Sequence, residues 1–438
     1  MNYSEAKKRL EKNGQGHVLD FWGKLGAKER KALLSQIAAI DFDELSRCRS
    51  ILPGFAVAEK TEKCKKCVSA PVAPKVAQLK GKSYDSAVAT GVKELESGRV
   101  AVLLVAGGQG SRLGYEGPKG AYPIGPVTDR PLFYFHARKV LAKTRKYGKP
   151  VPFYIMTSEA NYDATLKCFK DNGWFGLDRK DIFFFKQGMW PGMTPEGKII
   201  LDEPGHVFMS PDGHGGLLAA LKNSGALSDM KKRGIKSVFF FQVDNPLVEI
   251  ADEAFIGYHI KEKSEYTLKL CAKRDPFEKV GMPMKFGNVF KMVEYTEMTD
   301  EQCNRKGKDG RLYFLYGSPA IHVFDRAFLE REANKPMPLH LAHKKIAMVD
   351  EKGKVQKPAE PNGYKFEKFI FDILSDAKKA AFLAFDQEDE FSPVKNAQGS
   401  DSPDTCKADM QAKWRRQLAE RGIMINGEAI LEVDPCSL

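Results

Sequence analysis

Long apolar runs are missing from this chain of 438 residues, and nothing in it approaches the roughly twenty consecutive apolar residues that a membrane helix needs. The opening stretch, MNYSEAKKRLEKNGQGHVLDFW, is charged and helix-like, without the apolar centre of a secretory leader. The expectation is a cytoplasmic protein with no membrane partner. Cysteine is scarce: of eight residues only Cys64 and Cys67 form a close pair, with Cys48 upstream and no second C-x-x-C. A structural zinc site needs four ligands, so this half-site argues for free thiols in a reducing compartment. Lys and Arg give a net charge of +12, which favours anionic ligands. They are scattered along the chain, with neither a basic tail nor a stripe between aromatics, and no nucleic-acid partner is expected. Internal repeats and Ser-His-Asp or Cys-His constellations are absent too. With 42% hydrophobic and 29% charged residues, the composition is that of an ordinary globular protein of two or three domains.

What is present centres on VAVLLVAGGQGSRLGYEGPKGAY, Val100 to Tyr122. An uninterrupted apolar run ending in a glycine-dense turn is the mark of a strand buried on both faces. Gly107, Gly108 and Gly110 let backbone N–H groups approach an anion, and Arg112 and Lys119 set two cations beside them. The spacing is neither G-x-G-x-x-G nor G-x-x-x-x-G-K-[ST], so neither a dinucleotide fingerprint nor a Walker loop is read here. A tight strand-to-helix turn is the plainer alternative for the glycines alone.

Along the chain, residues 2–49 have apolar positions three and four apart and predict two or three helices. A Pro- and Lys-rich surface linker comes next. From Ser83 onward strands and helices alternate: helix 83–97, the central strand, helix 132–147, strand 151–156, helix 161–172, strand 182–185, a helix from Gly216 to Arg233, and strand 237–243. Such alternation implies a mostly parallel sheet with helices on both faces, whose ligand lies at the carboxyl ends of the strands. Shorter strands at 268–272, 289–294 and 320–324 extend it. After them come a helix at 326–333, a strand at 345–349, a long helix at 367–385, a helix at 408–421 and a last strand at 429–433. The expected division is an N-terminal helical region and linker (1–75), a core (76–340) and a C-terminal region (341–438).

Three further turns carry chemistry. Gln187 ends a strand with a side chain that both donates and accepts, as a base edge requires, or else it is a solvated turn residue. Ser210-Pro211-Asp212-Gly213-His214-Gly215-Gly216 opens a helix whose N-terminus favours anions, or is only a helix cap. Asp244, at the mouth of strand 237–243, is placed to hold magnesium or merely caps the strand end.

The pattern Leu104, Gly107, Gly108, Gly110, Ser111, Arg112, Leu113, Gly114, Pro118 and Lys119 resembles the L-x-x-G-G-x-G-[ST]-R-[LM]-G…P-K signature of sugar-nucleotide pyrophosphorylases. Together with Tyr154 to Ser158, Gln187 to Met189, Pro211 to Gly216, Val243 to Asn245, Val293 to Tyr295, Pro361 to Phe369 and Glu390 to Asn396, it is similar to the eukaryote-type UDP-N-acetylhexosamine pyrophosphorylases over about 103–396. The resemblance implies an α/β fold, a Rossmann-like mixed but mostly parallel sheet with a GT-A-like core. It implies a uridylyltransferase that makes UDP-N-acetylglucosamine and pyrophosphate from UTP and N-acetylglucosamine 1-phosphate with Mg2+.

Position by position, the resemblance puts Leu104, Ala106, Gly107 and Gly108 at the uridine and Gln187 and Gly213 at the base. Arg112, Lys119 and Lys365 would face phosphates, with Lys365 preferred to Lys368, and Asp244 would hold the metal. His214 and Asn245 would approach sugar or ribose, while Gly281, Glu294 and Ser318 would line the sugar. Two departures fall on sugar positions: His214 stands where the family has asparagine in P-D-G-N-G-G, and Ser318 stands in a segment the family writes N-A-G-N. UDP-glucose or broad UDP-sugar synthesis therefore stays open, as does a sugar-nucleotide sensor without catalysis. An anionic nucleophile needs no general base, which suits the lack of a catalytic triad.

Overall fold

The computed structural model of the chain describes residues 1–55, 70–72, 74–76, 81–425 and 429–438; Cys64 and Cys67 lie outside them. It divides into a smaller unit of Met1–Glu62, Gly188–Leu217 and Pro336–Ile370 and a larger one of Lys63–Gln187, Leu218–Lys335 and Phe371–Leu438.

The larger unit is built on a nine-stranded sheet in the order Lys75–Val76, Ala380–Phe385, Tyr266–Ala272, His322–Asp325, Ser237–Gln242, Val100–Val105, Phe153–Thr157 and Ile182–Lys186, with Tyr316–Gly317 paired to Tyr266–Ala272 off this path. Pairs are parallel except where His322–Asp325 and Tyr316–Gly317 run against their neighbours, so the sheet is mixed and mostly parallel, as expected from the sequence. Val100–Val105 lies inside it, with Leu104 opposite Phe241 on one side and Ile155 on the other. Its apolar run is explained by that position, because a strand covered on both faces has no polar side. Helices Lys82–Glu96, Leu132–Tyr147, Tyr162–Asp171 and Glu253–Lys261 supply Leu95, Phe133, Val140, Phe169 and Phe255 to the core around Val102, Leu104, Ile155 and Phe239. Each such buried side chain contributes roughly 1.5–3 kcal/mol.

In the smaller unit the predicted N-terminal helices are Tyr3–Lys12, Ala27–Ala39 and Phe42–Ser50. Asn2 and Glu5 form a capping box on the first, and the Asp41 carboxylate accepts from Asp43 and Glu44 N–H at the third. Their apolar faces, with Leu10, Leu33, Ile37 and Leu45, share one core with Met193, Ile199, Leu201, Val207 and Phe366. Gln15 fastens the two stretches: its amide donates to Gly197 O (2.9 Å) and accepts from Ile199 N (2.8 Å).

Several expected elements differ. The long helix at 367–385 is instead the end of strand Gly363–Glu367, a 3-10 helix Ile370–Asp376 and strand Ala380–Phe385. The apolar spacing of Phe366, Ile370, Ile373 and Leu374 imitates a helix, but Ala380–Phe385 is held by parallel pairing to Tyr266–Ala272. The helix from Gly216 to Arg233 is two, Leu217–Asn223 and Ala226–Lys232, parted where Gly225 takes φ +81°. Residues 429–433 form no strand: Leu431 N donates to Gln411 Oε1, and the Glu432 carboxylate accepts from Val127 and Thr128 N–H. The strand at 345–349 is reduced to Met348–Val349, preceded by His340–Lys344. Within the linker, Ala70–Pro71 pairs with Met284 and Lys285, and Lys75–Val76 joins the large sheet.

Candidate active site

In the larger unit the glycine turn springs from the carboxyl end of Val100–Val105. Ala106 N donates to Met156 O (2.7 Å), and the buried Asn161 amide donates to Ala106 O (2.9 Å) and Gly108 O (3.2 Å). The turn then folds back on itself, Gly110 N onto Gly117 O (2.9 Å) and Lys119 N onto Gly108 O (3.0 Å). Leu104 and Ala106 are wholly buried, so their side chains belong to the core. The Gln187 amide lies against Gly107, where a Cβ would stand 2.8 Å from Oε1, whereas a Cβ at Gly108 would meet nothing within 4 Å. The backbone at Gly108 thus borders open space, next to Arg112, which is exposed, and Lys119.

Ser237–Gln242 is the parallel neighbour of Val100–Val105, Gln242 opposite Val105, so Asp244 emerges beside the glycine turn. Lys119 Nζ is 3.7 Å from Asp244 Oδ2, with both side chains largely shielded from solvent. His136 holds this strand end: its Nε2 donates to Val243 O (2.9 Å), and burial, which pushes its pKa down to about 3, keeps the ring neutral. Asn245 is fully engaged, Nδ2 donating to Glu390 O (2.6 Å) and Oδ1 accepting from Ser392 N (3.1 Å) and Leu247 N (3.3 Å). Asp244 O accepts from Val394 N (2.8 Å). The segment Glu390–Asn396 is thereby laid along Asp244, and it carries Lys395, a cation to which sequence reasoning gave no role, with its Nζ over the Phe391 ring at 5.5 Å. The signal was its lysine within the Glu-Phe-Ser-Pro-Val-Lys-Asn motif. Behind them Lys269 is fully buried and paired with Asp252 (2.6 Å) and Glu390. Burial opposes its charge, but the two carboxylates outweigh that and raise its pKa.

Gly281, Glu294 and Ser318 are also brought together. Ser318 N donates to Gly281 O (2.8 Å) across an antiparallel bridge, and a Cβ on Gly281 would stand 2.9 Å from Glu294 Oε1.

The smaller unit holds Gly213, His214 and Lys365. Its glycine turn is pinned to the residues just past the strand Gly363–Glu367: Lys368 N donates to Asp212 O (2.8 Å), and Gly215 N to Lys368 O (2.7 Å). Gly213 has φ +79°, and a Cβ on Gly215 would come within 2.5 Å of the Lys368 carbonyl carbon. His214 Nδ1 accepts from Ile370 N (3.1 Å), its ring stacks on Phe369 at 5.2 Å, and burial lowers its pKa to about 4. Asp212 is buried between Gly188 and Gly216, its Oδ1 has no hydrogen-bond partner among the described residues, and desolvation raises it to about 6. Lys365 Nζ lies over the Phe208 ring at 5.2 Å. Lys368 is committed to Glu44 (2.9 Å) and the Trp190 face (4.9 Å).

Among the described residues no helix is long and apolar enough to cross a membrane, and no group of three or more His, Cys, Asp or Glu is placed to hold a metal by itself.

Comparison with known proteins bears on this arrangement. Residues 57–401 match the family described as UTP--glucose-1-phosphate uridylyltransferase. The chain is 36% identical to the mouse (Mus musculus) UDP-N-acetylhexosamine pyrophosphorylase-like protein 1, over 98% of this chain and 88% of that one. It is 34% identical to the UDP-N-acetylglucosamine pyrophosphorylase of Saccharomyces cerevisiae, over 98% and 94%. Among solved structures, the uridine diphosphate N-acetylglucosamine pyrophosphorylase of Trypanosoma brucei superposes with a TM-score of 0.82 at 27% identity, covering 94% of this chain and 85% of that one. With its glycine turn, Asp244 strand end and near-complete coverage, the chain belongs to the UTP--glucose-1-phosphate uridylyltransferase family, among the UDP-N-acetylglucosamine pyrophosphorylases.

Proposed function

We propose that this protein transfers a uridylyl group from UTP to N-acetylglucosamine 1-phosphate, forming UDP-N-acetylglucosamine and pyrophosphate. The observation that carries the reading is the Lys119–Asp244 pair at the mouth of two adjacent parallel strands, beside a glycine turn open at Gly108. A phosphate oxygen of the sugar 1-phosphate attacks the α-phosphorus of UTP in line, and pyrophosphate leaves. The nucleophile is already an anion, so the work is positioning and charge neutralisation. Lys119 and Arg112 supply cations beside the glycine turn, and Lys365 is proposed as a further phosphate contact. Asp244 orients Lys119. The largely shielded Asp244 carboxylate also fits a hard divalent cation that arrives with nucleotide phosphates and keeps its waters, as Mg2+ does. When bound, that ion would offset phosphate charge. Gln187 against Gly107 fits a uracil edge, and the Gly281–Glu294–Ser318 group fits sugar hydroxyls, with the short Ser318 leaving room for an N-acetyl group. The six free cysteines described suit a cytoplasmic setting.

The test is pyrophosphate release over a panel of nucleotides and sugar 1-phosphates. UTP with N-acetylglucosamine 1-phosphate is expected to be fastest, roughly ten- to a hundredfold over glucose 1-phosphate, the range available when shape and few hydrogen bonds discriminate. Faster turnover of glucose 1-phosphate overturns the sugar assignment, comparable rates with ATP or GTP overturn the base pocket, and no turnover with any pair returns the protein to a sensor.

A further inference from the structure

In the larger unit a cavity of about 580 Å³ lies between the helices Leu132–Tyr147 and Pro403–Glu420 and the loop that begins after Asn245. None of the residues expected to bind substrate lines it. Its cations are Lys139, Lys143, Arg145, Lys146, Lys413 and Arg421, and its side-chain carboxylates are Glu249 and Glu253. Lys143 pairs with Glu253 (2.8 Å) and Glu249 (3.4 Å), and Lys146 with Glu253 (3.0 Å). Most of the other cations lean on backbone: Lys139 donates to Pro246 O (2.5 Å) and Val248 O (2.7 Å), Lys413 to Leu247 O (2.9 Å) with Glu249 at 3.7 Å, and Arg421 to Ser437 O (3.4 Å) and Leu438 O. Positive charge therefore exceeds negative in a concave, partly desolvated space, where an anion interacts far more strongly than in water. Burial first, and then Lys413, hold Lys139 down to about 7, whereas the burial of Lys143 is outweighed by Glu249 and Glu253, which raise its pKa. The floor is apolar, with Phe135, Met410 and Trp414, and Gln417 contributes a buried Oε1 without a hydrogen-bond partner among the described residues. A volume of this size, an apolar floor and a few convergent polar groups are the attributes of a small-molecule site.

We infer that this cavity is a second ligand site, separate from the catalytic one, for a small aromatic organic anion: an acidic group on the lysines, a flat apolar body on Trp414 and Phe135, and a donor to Gln417. The probe is 8-anilinonaphthalene-1-sulfonate, which has an anionic group, an aromatic body and an N–H donor, titrated into the intact protein with its fluorescence followed. One molecule per chain is expected to bind, without displacement by saturating UTP and sugar 1-phosphate. Neutralising two rim cations in a Lys146→Gln, Arg421→Gln double variant should weaken it by about tenfold, and Lys413→Met by a similar factor, the scale of lost charge-assisted contacts. Displacement by UTP, or affinity unchanged in both variants with their thermal melting intact, overturns the inference.

Discussion

In the turn after Val105 the backbone at Gly108 faces open space, whereas in the turn from Ser210 to Gly216 the glycines press on protein, Gly215 on the Lys368 backbone and Gly216 on the Asp212 carboxylate. The two stretches look alike as strings of glycine, and the same missing Cβ is used in opposite ways. In the first, Gly107 and Gly110 also press on Gln187 and Tyr115, but Gly108 leaves room for something from outside, with cations beside it. In the second it lets a strand, a buried carboxylate and a helix start pack closer than any side chain allows. A glycine cluster thus signals close approach, but not of what.

Four substitutions put that contrast to the test. Gly215→Ala, on the packed turn, should cost about 3 kcal/mol, since its methyl group must displace backbone and not a flexible side chain; a urea titration reads it, and stability unchanged from wild type would mean the turn is not packed as described. Lys119→Ala, on the open turn, should lower kcat about a hundredfold with little loss of UTP affinity, the scale of one preorganised charge contact to a transition state. Steady-state kinetics on the purified variant, folded by circular dichroism, check it.

Asp212→Asn tests the electrostatics of the packed turn. The folded-state pKa of Asp212 is raised, to about 6, so the native state holds its proton more tightly than the unfolded chain does. That stabilising contribution is whole below the unfolded pKa and is lost as pH rises through about 6, leaving a buried charge at neutral pH. The variant should therefore gain about 2 kcal/mol over wild type at pH 8 and have a much smaller advantage at pH 4, read from melting at both pH values. An advantage that grows on acidification contradicts the assignment. The smallest effect is expected at Gly108→Ala: stability within about 0.5 kcal/mol of wild type, because the methyl group meets nothing, with any loss confined to KM for UTP.

Much of the larger unit was legible along the chain. The helix Leu132–Tyr147 and the strands Val100–Val105 and Ser237–Gln242 were read within a residue or so, because an apolar run between turn residues or a clean three-to-four spacing has one low-energy answer. The stretch 367–385 was misread because its spacing satisfies a helix locally, while the neighbours that claim Ala380–Phe385 as a strand lie more than a hundred residues earlier. Lys395 was passed over for the same reason: only the bond from Val394 N to Asp244 O shows that its segment lies along the strand end.

Residues adjacent in the chain, and the order of motifs along it, were enough for the alternation of strands and helices, the glycine turn with Arg112 and Lys119, and the family. It took the folded chain to establish that Asp244 meets Lys119, that Asn245 spends its amide on Glu390 and Ser392, that the N-terminal helices share a core with Met193 to Val207, and that lysines gather around an empty space beside Trp414. Those outcomes depend on pairing register and on which distant surfaces compete to bury the same apolar and charged groups, and no local pattern encodes that competition.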